Sequence, residues 1–236
     1  MKTMTEDMSL PLLYSLRNCP YAMRARMAIF YAQQLVVLRD VVLTNKPKAL
    51  LIASPKGTVP VLVLPEKLGL DNKQEVIDES LEVMLWALSK SDPDDLLHKN
   101  DMAALNNMLK LIAIFDDEFK SCLEAYKCAK RYHETTLIDY RQACEVYLQT
   151  LEERLSQNEF LMSSKTSLAD IAVLPFIRQF ARVERQWYLQ SPYPRLRSWL
   201  NNYLRSSMFT QVMLKNPLWN ENDETTYLVG ISQGKK

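Results

Sequence analysis

The sequence predicts an α/β unit over the first third of the chain, followed by an all-helical unit. Three observations lead there. Strand-like and helix-like patterns alternate from Leu10 to Leu88. A short polar segment, Ser91-Asp92-Pro93-Asp94-Asp95, then interrupts the apolar pattern and has the composition of a domain boundary. From Lys99 onward the apolar residues recur at helical spacing. A chain of 236 residues is comfortable for two domains or one large one, and 47% apolar residues suffice for a sizeable core. The boundaries read in this way are 9–90, 96–215 and a C-terminal tail over 216–236.

Each element has a local reason. Leu10–Tyr14 is an apolar run that reads as a strand. Pro20–Gln33 reads as a helix, because Pro20 suits a first helical position and Tyr21, Ala25, Ala28, Ile29 and Ala32 share one face. Met23, Met27, Phe30 and Tyr31 give this helix a second apolar side, so it should be covered twice. Val36–Leu43 is a strand, and Asn45-Lys46-Pro47 opens a short helix ending near Ser54. Pro60–Leu64 and Gln74–Ile77 are strands, and Ser80–Leu88 is a helix, giving the order β-α-β-α-β-β-α. Beyond the linker, Met102 to about Ala129 reads as one long helix, with Leu105, Met108, Leu109, Ile112 and Phe115 as its stripe. Thr135–Leu155 is another, carrying Leu137, Tyr140, Ala143, Cys144, Tyr147, Leu148 and Leu151. Ser167-Leu168-Ala169-Asp170 opens a third as a capping box with Asp at its last position. The apolar run Ile171–Ile177 behind it should be the centre of the helical unit, with Pro175 bending the helix.

Composition excludes several function classes. The chain has only 4 glycines and lacks Gly-x-Gly-x-x-Gly and Walker-type loops, so nucleotide binding by those routes is unsupported. A net charge of +1 without long runs of one sign offers no nucleic-acid surface. Met1–Met8 is polar and is not a secretory signal, and no apolar stretch is long enough for an ordinary transmembrane helix. Reduced thiols in a cytoplasmic protein are therefore the simple reading of Cys19, Cys122, Cys128 and Cys144. The last three lie on helices and read as packing residues. His98 and His133 stand alone, so no metal is expected.

The chemistry-bearing stretch is Cys19-Pro20-Tyr21-Ala22, at the junction of the first strand and helix. Cys19 falls at or beside the N-cap, where free backbone N–H groups and the helix dipole favour an anionic sulfur. Position 22 is Ala22, so the motif is a monothiol. A dithiol site resolves its own mixed disulfide, whereas a monothiol site needs an external thiol, which points to glutathione. The other pieces are weaker alone. A cis Val59–Pro60 bond would present the Val59 backbone to a peptide, but from spacing alone an ordinary trans proline is the better reading. Glu79-Ser80 at a helix start can bind an ammonium and a carboxylate, or can simply be an N-cap with dipole-favourable acids. Lys46 can pair with a second carboxylate or be a solvated surface lysine.

Together these residues resemble a glutathione transferase, specifically the omega-like, cysteine-containing kind. The resemblance runs from Leu10 to about Leu214. It rests on Cys19-Pro20-Tyr21-Ala22 with Arg24 and Arg26, on Asn45-Lys46-Pro47, on Gly57–Leu62, on Glu79-Ser80 and on Ser167–Asp170. It implies a thioredoxin-like N-terminal domain and an all-helical C-terminal domain, with the first helix between sheet and helices. Carried over residue by residue, it implies that Cys19 forms a mixed disulfide with glutathione and Lys46 holds the glycine carboxylate. Val59 would pair with the cysteinyl backbone before cis-Pro60. Glu79 and Ser80 would bind the γ-glutamyl end, and Tyr21 would line the site beside the sulfur. The implied activity is thiol transfer or dehydroascorbate reduction, with glutathione and a small electrophilic or disulfide substrate as partners. An acceptor pocket would draw on Phe115, Phe119, Arg182 and Trp187, which equally suit core or surface. Dimers are common in the superfamily, so the resemblance also implies a homodimer, with the Met102 helix as its interface. Stringent starvation protein A and the chloride intracellular channel proteins resemble the same fold and supply the rival of a non-catalytic interaction protein. Glutathionyl-hydroquinone reductase and ordinary glutathione conjugation, with Tyr14 or Ser15 as activating hydroxyl, are the enzymatic rivals.

Overall fold

The computed structural model describes residues 9–65, 74–221 and 224–229. The polar segment Met1–Met8 and the end of the tail, beyond Val229, lie outside the described residues. The described residues pack as two units: those within 1–93 together with those from 207 onward, and 94–206. The helical unit thus ends at Ser206, where the sequence reading put it at 215, and the described residues from Ser207 to Val229 group with the first unit.

The first unit is built on a sheet of strands β1 (Leu12–Ser15), β2 (Leu35–Asp40), β3 (Val61–Val63), β4 (Val76–Ile77) and β5 (Thr226–Val229), in the order β4-β3-β1-β2-β5. β1 and β2 are parallel, joined by helix α1 (Pro20–Tyr31), and the other pairings are antiparallel. Register divides the side chains between two faces because successive residues alternate. Leu13 pairs with Leu38 and Leu62, and these three lie on one face with Ser15 and Asp40. All three leucines are buried, each contributing roughly 1.5–3 kcal/mol through apolar burial. Tyr14, Val61 and Val63 lie on the other face and pack with Leu50 of α2 (Lys48–Ala53).

α1 is buried from Ala22 to Ile29 without interruption, as its two apolar sides require. Within the first unit it packs against α3 (Ser80–Lys90) and α10 (Ser207–Val212). α10 contributes buried Met208, Phe209 and Val212 to this unit. The fifth strand was not legible in the sequence. It adds to the outer edge of β2, with Thr226 opposite Leu38 and Leu228 opposite Val36, and so covers backbone groups that would otherwise be unpaired.

A buried charge pair fastens this returning segment. Arg26, 1% exposed, is ion-paired with Asp40, 6% exposed, and also donates to Ser15 Oγ at 2.7 Å and to the Val212 carbonyl at 3.1 Å. The second Asp40 oxygen accepts from Asn216 Nδ2 at 3.2 Å, and its carbonyl accepts from the Trp219 N–H at 2.8 Å. Trp219 then lies over Arg39, 4.0 Å from ring centroid to guanidinium, and meets Tyr14 edge-on.

The helical unit contains α4 (Ala104–Ile114), α5 (Lys120–Tyr132), α6 (Leu137–Gln157), α7 (Leu168–Val183), α8 (Arg185–Gln190) and α9 (Pro194–Arg205). The single long helix expected over 102–129 is α4 and α5 joined by a π-helical turn, Phe115–Phe119. This wide turn lets Phe115 and Phe119 both point inward, with centroids 4.8 Å apart. Met102 is fully exposed and precedes the helix. The α6 stripe is narrower than expected: Cys144, Leu148, Leu151 and Leu155 are buried, whereas Tyr140 and Ala143 are exposed. Cys128 is exposed too, so it is not a packing residue.

α7 is the centre of this unit, buried from Leu168 to Ile177, and Pro175 lies inside it without ending it. The capping box forms: the Ser167 side chain accepts from the Asp170 N–H, and Asp170 accepts from the Ser167 N–H at 3.0 Å. Asp170 also accepts from Ser167 Oγ at 2.6 Å, the Leu161 N–H at 3.0 Å and Trp199 Nε1 at 2.9 Å. The box therefore anchors a loop and a second helix besides its own turn. Glu152 caps α9 from α6, accepting from the N–H groups of Arg195 at 3.0 Å and Leu196 at 2.8 Å. No helix among the described residues is long and apolar enough to cross a membrane.

Candidate active site

Cys19 is the N-cap of α1. Its backbone is extended (φ −74°, ψ 125°) and Pro20 follows as the first helical residue. A turn from the end of β1, closed by the Cys19 N–H on the Leu16 carbonyl at 2.9 Å, sets it there. The thiol is half-buried and free, and its Sγ lies 3.7 Å from the Val59 carbonyl oxygen. Ala22, where a dithiol site has its second sulfur, is fully buried.

Val59 enters β3 through Pro60, and the Val59–Pro60 bond is cis, not the trans bond that spacing alone favoured. Gly57, two residues earlier, has φ +58°, a conformation that side chains oppose. A Cβ at that position would lie 3.0 Å from Lys46 Nζ and 3.0 Å from Leu51 Cδ2. The exposed Lys46 is thus laid across the turn that delivers Val59.

Glu79 is the N-cap residue of α3 and Ser80 its first residue, Ser80 being buried and Glu79 62% exposed. Their neighbour Asp78 accepts from Ser54 Oγ at 2.7 Å. Lys56 bridges the two acids, 3.0 Å from Asp78 Oδ1 and 2.6 Å from Glu79 Oε1. The hydrogen bonds to Glu79 and then Asp78 push the Lys56 ammonium up to about 12. The Ser54 hydroxyl, followed by Lys56, holds the Asp78 carboxyl below its ordinary range.

Tyr21 is half-buried at the start of α1, with the Arg24 guanidinium 5.5 Å from its ring centroid. The first unit therefore holds Cys19, Tyr21, Lys46, Val59, Pro60, Glu79 and Ser80, and direct packing links Cys19 to Val59. The hydroxyls considered as alternatives to Cys19 are both engaged. Tyr14 accepts from Arg39 at 2.8 Å, and the fully buried Ser15 accepts from Arg26.

The residues considered for an acceptor pocket divide. Phe119 is fully buried among Phe115, Phe180 and Tyr147, and so is a core residue with no surface for a ligand. Phe115, 1% exposed, borders a cavity of about 450 Å³ within the helical unit, together with Leu111, Tyr147 and Arg154. Trp187 packs on Phe180 and under the Arg141 guanidinium, 4.4 Å from its centroid. Arg182 is exposed. Arg141 leads to Glu184, which also accepts from Tyr126 at 2.8 Å, a helical-unit node that sequence reasoning missed. Missed too was Lys56, whose partners lie over 20 residues away in the chain. Among the described residues no group of His, Cys, Asp and Glu is placed to hold a metal ion.

Two family models match: the glutathione S-transferase N-terminal domain over residues 13–94 and the C-terminal domain over 139–202. The chain is similar to a pyrimidodiazepine synthase of Drosophila melanogaster, 25% identical over 198 residues that cover 82% of this chain and 76% of the relative. A glutathione transferase family member from Pseudomonas fluorescens, solved with two glutathione molecules bound, shares the fold at a TM-score of 0.75 and 17% identity, covering 90% of this chain and 95% of its own. Glutathione transferase Omega 3C from Trametes versicolor does so at 0.72 and 16%, covering 88% and 90%. With the thioredoxin-like sheet and helical unit described above, these matches establish that the chain belongs to the glutathione S-transferase family.

Proposed function

We propose that this chain is an omega-like, glutathione-dependent thiol transferase acting through Cys19. The observation that carries the reading is the placement of Cys19: a free, half-buried thiol at the N-terminus of α1, 3.7 Å from the Val59 carbonyl, with Ala22 in place of a second sulfur. In the first step the Cys19 thiolate attacks the glutathionyl sulfur of a mixed disulfide. The Cys19–glutathione disulfide forms, and the substrate leaves as its thiolate. In the second step a glutathione thiolate attacks the glutathionyl sulfur held on Cys19. Glutathione disulfide leaves and the Cys19 thiolate is restored. Both steps are exchanges whose rate depends on thiolate character and access. Dehydroascorbate is a second substrate class consistent with the same two glutathione equivalents.

Under this reading Val59 pairs with the cysteinyl backbone of glutathione beside cis-Pro60, and Lys46 takes the glycine carboxylate. Glu79 and Ser80 take the γ-glutamyl end at the positive end of α3, and Tyr21 lines the sulfur. Conjugation through a hydroxyl is less favoured, because Tyr14 is 2% exposed and Ser15 is fully buried. Glutathione-dependent reduction of a small mixed disulfide tests the proposal. Turnover should be present in the native protein and lost in Cys19→Ser. Turnover surviving in the variant would refute the role of Cys19, and a native protein that neither turns over nor binds glutathione would favour an interaction protein of the same fold.

A further inference from the structure

Resting on the assignment of Glu79 and Ser80 to the γ-glutamyl end, we propose that Lys56 determines specificity by binding the α-carboxylate of that γ-glutamyl group. The Lys56 ammonium already sits on Glu79 Oε1 at 2.6 Å and on Asp78 Oδ1 at 3.0 Å. A ligand ammonium that takes Glu79 therefore meets Lys56 at the same carboxylate and displaces it. Lys56 is half exposed on a flexible four-carbon stem, so it can move without disturbing buried structure. It keeps Asp78, which Ser54 Oγ fixes at 2.7 Å. Moving off Glu79 leaves it beside whatever is bound there.

A γ-glutamyl terminus carries an ammonium and a carboxylate on one carbon. Docking it exchanges one internal pair, Lys56 with Glu79, for two external ones: ligand ammonium with Glu79, and ligand carboxylate with Lys56. The three charges of Asp78, Glu79 and Lys56 sum to one negative charge, so a ligand that brings only a carboxylate gains little from them. One that brings only an ammonium competes with Lys56. The zwitterion alone satisfies every group, so the trio selects α-amino acid termini over either half.

The test is calorimetric binding of three probes to the native protein and to Lys56→Met. The probes are S-methylglutathione, its deamino analogue with glutaryl in place of γ-glutamyl, and its decarboxy analogue with γ-aminobutyryl. The variant should bind S-methylglutathione and the deamino analogue about three- to tenfold more weakly, the scale of one charged hydrogen bond at a partly exposed site. It should bind the decarboxy analogue equally well or more tightly, because the competing ammonium is gone. Lys56→Arg should restore the discrimination. An equal change for all three probes, or none, overturns the role of Lys56 while leaving glutathione binding intact. A native protein that does not bind S-methylglutathione at all overturns the glutathione site itself, and this inference with it.

Discussion

Replacing Asp40 by Asn should cost this protein a large share of its stability. Asp40 is 6% exposed and faces Arg26, which is 1% exposed. The variant keeps the shape but removes the negative charge. The Arg26 guanidinium is then left with neutral partners, Ser15 Oγ and the Val212 carbonyl. Burial already pulls the Arg26 guanidinium down from its ordinary range, and Asp40 opposes that pull. Breaking a buried pair from one side typically costs about 3–5 kcal/mol, against a total of about 5–15 kcal/mol for a folded domain. Urea unfolding followed by far-ultraviolet circular dichroism measures the loss. The segment that contains Val212, Asn216 and Trp219 should also become more open to limited proteolysis, since each hangs on Arg26 or Asp40. The companion double variant, Arg26→Met with Asp40→Leu, should lose less than Asp40→Asn, because it leaves no unpaired charge. A loss below about 1 kcal/mol for Asp40→Asn, or a double variant worse than the single one, would refute the reasoning.

Two further predictions concern the helical node and the Gly57 turn. Burial opposes ionisation of Glu184, but the Tyr126 hydroxyl, Arg141 and Lys130 outweigh it and hold its carboxyl below the ordinary 4.5. Its contribution is therefore fully present above 4.5 and is lost as pH falls from there through the lower value that the folded protein holds. Glu184→Gln should be less stable than the native protein by about 1 kcal/mol at pH 7, with the gap closing below pH 4; urea melts across pH would show a constant gap if this were wrong. Gly57→Ala should cost about 1–2 kcal/mol, from the positive φ and from the 3.0 Å approach of its Cβ to Lys46 and Leu51; thermal melts within error of the native protein would contradict it.

Much of the fold was legible where its signals are local. Pro20 after Cys19 marks the start of α1, and the observed helix begins there. Ser167 and Asp170 announce a cap that forms as read, because both partners lie within one turn. What escaped depends on long-range packing. No local signal pairs Arg26 with Asp40, because β2 meets α1 only once the sheet has formed. β5 was invisible because a four-residue strand finds its meaning only in the edge of β2. The π-helical turn kept the apolar residues in step, so the pattern read as one continuous helix. Phe119 looked available for a pocket because a sequence shows that a residue is aromatic, not which side of a helix is covered.

The central claim is that Cys19 carries the glutathionyl group, and mass analysis of the protein after incubation with glutathione disulfide tests it most directly. One glutathionyl group should appear on the peptide containing Cys19, be removed by added glutathione, and be absent in Cys19→Ser. A group found instead on Cys122 or the exposed Cys128, or an adduct on Cys19 that glutathione does not release, would contradict the account.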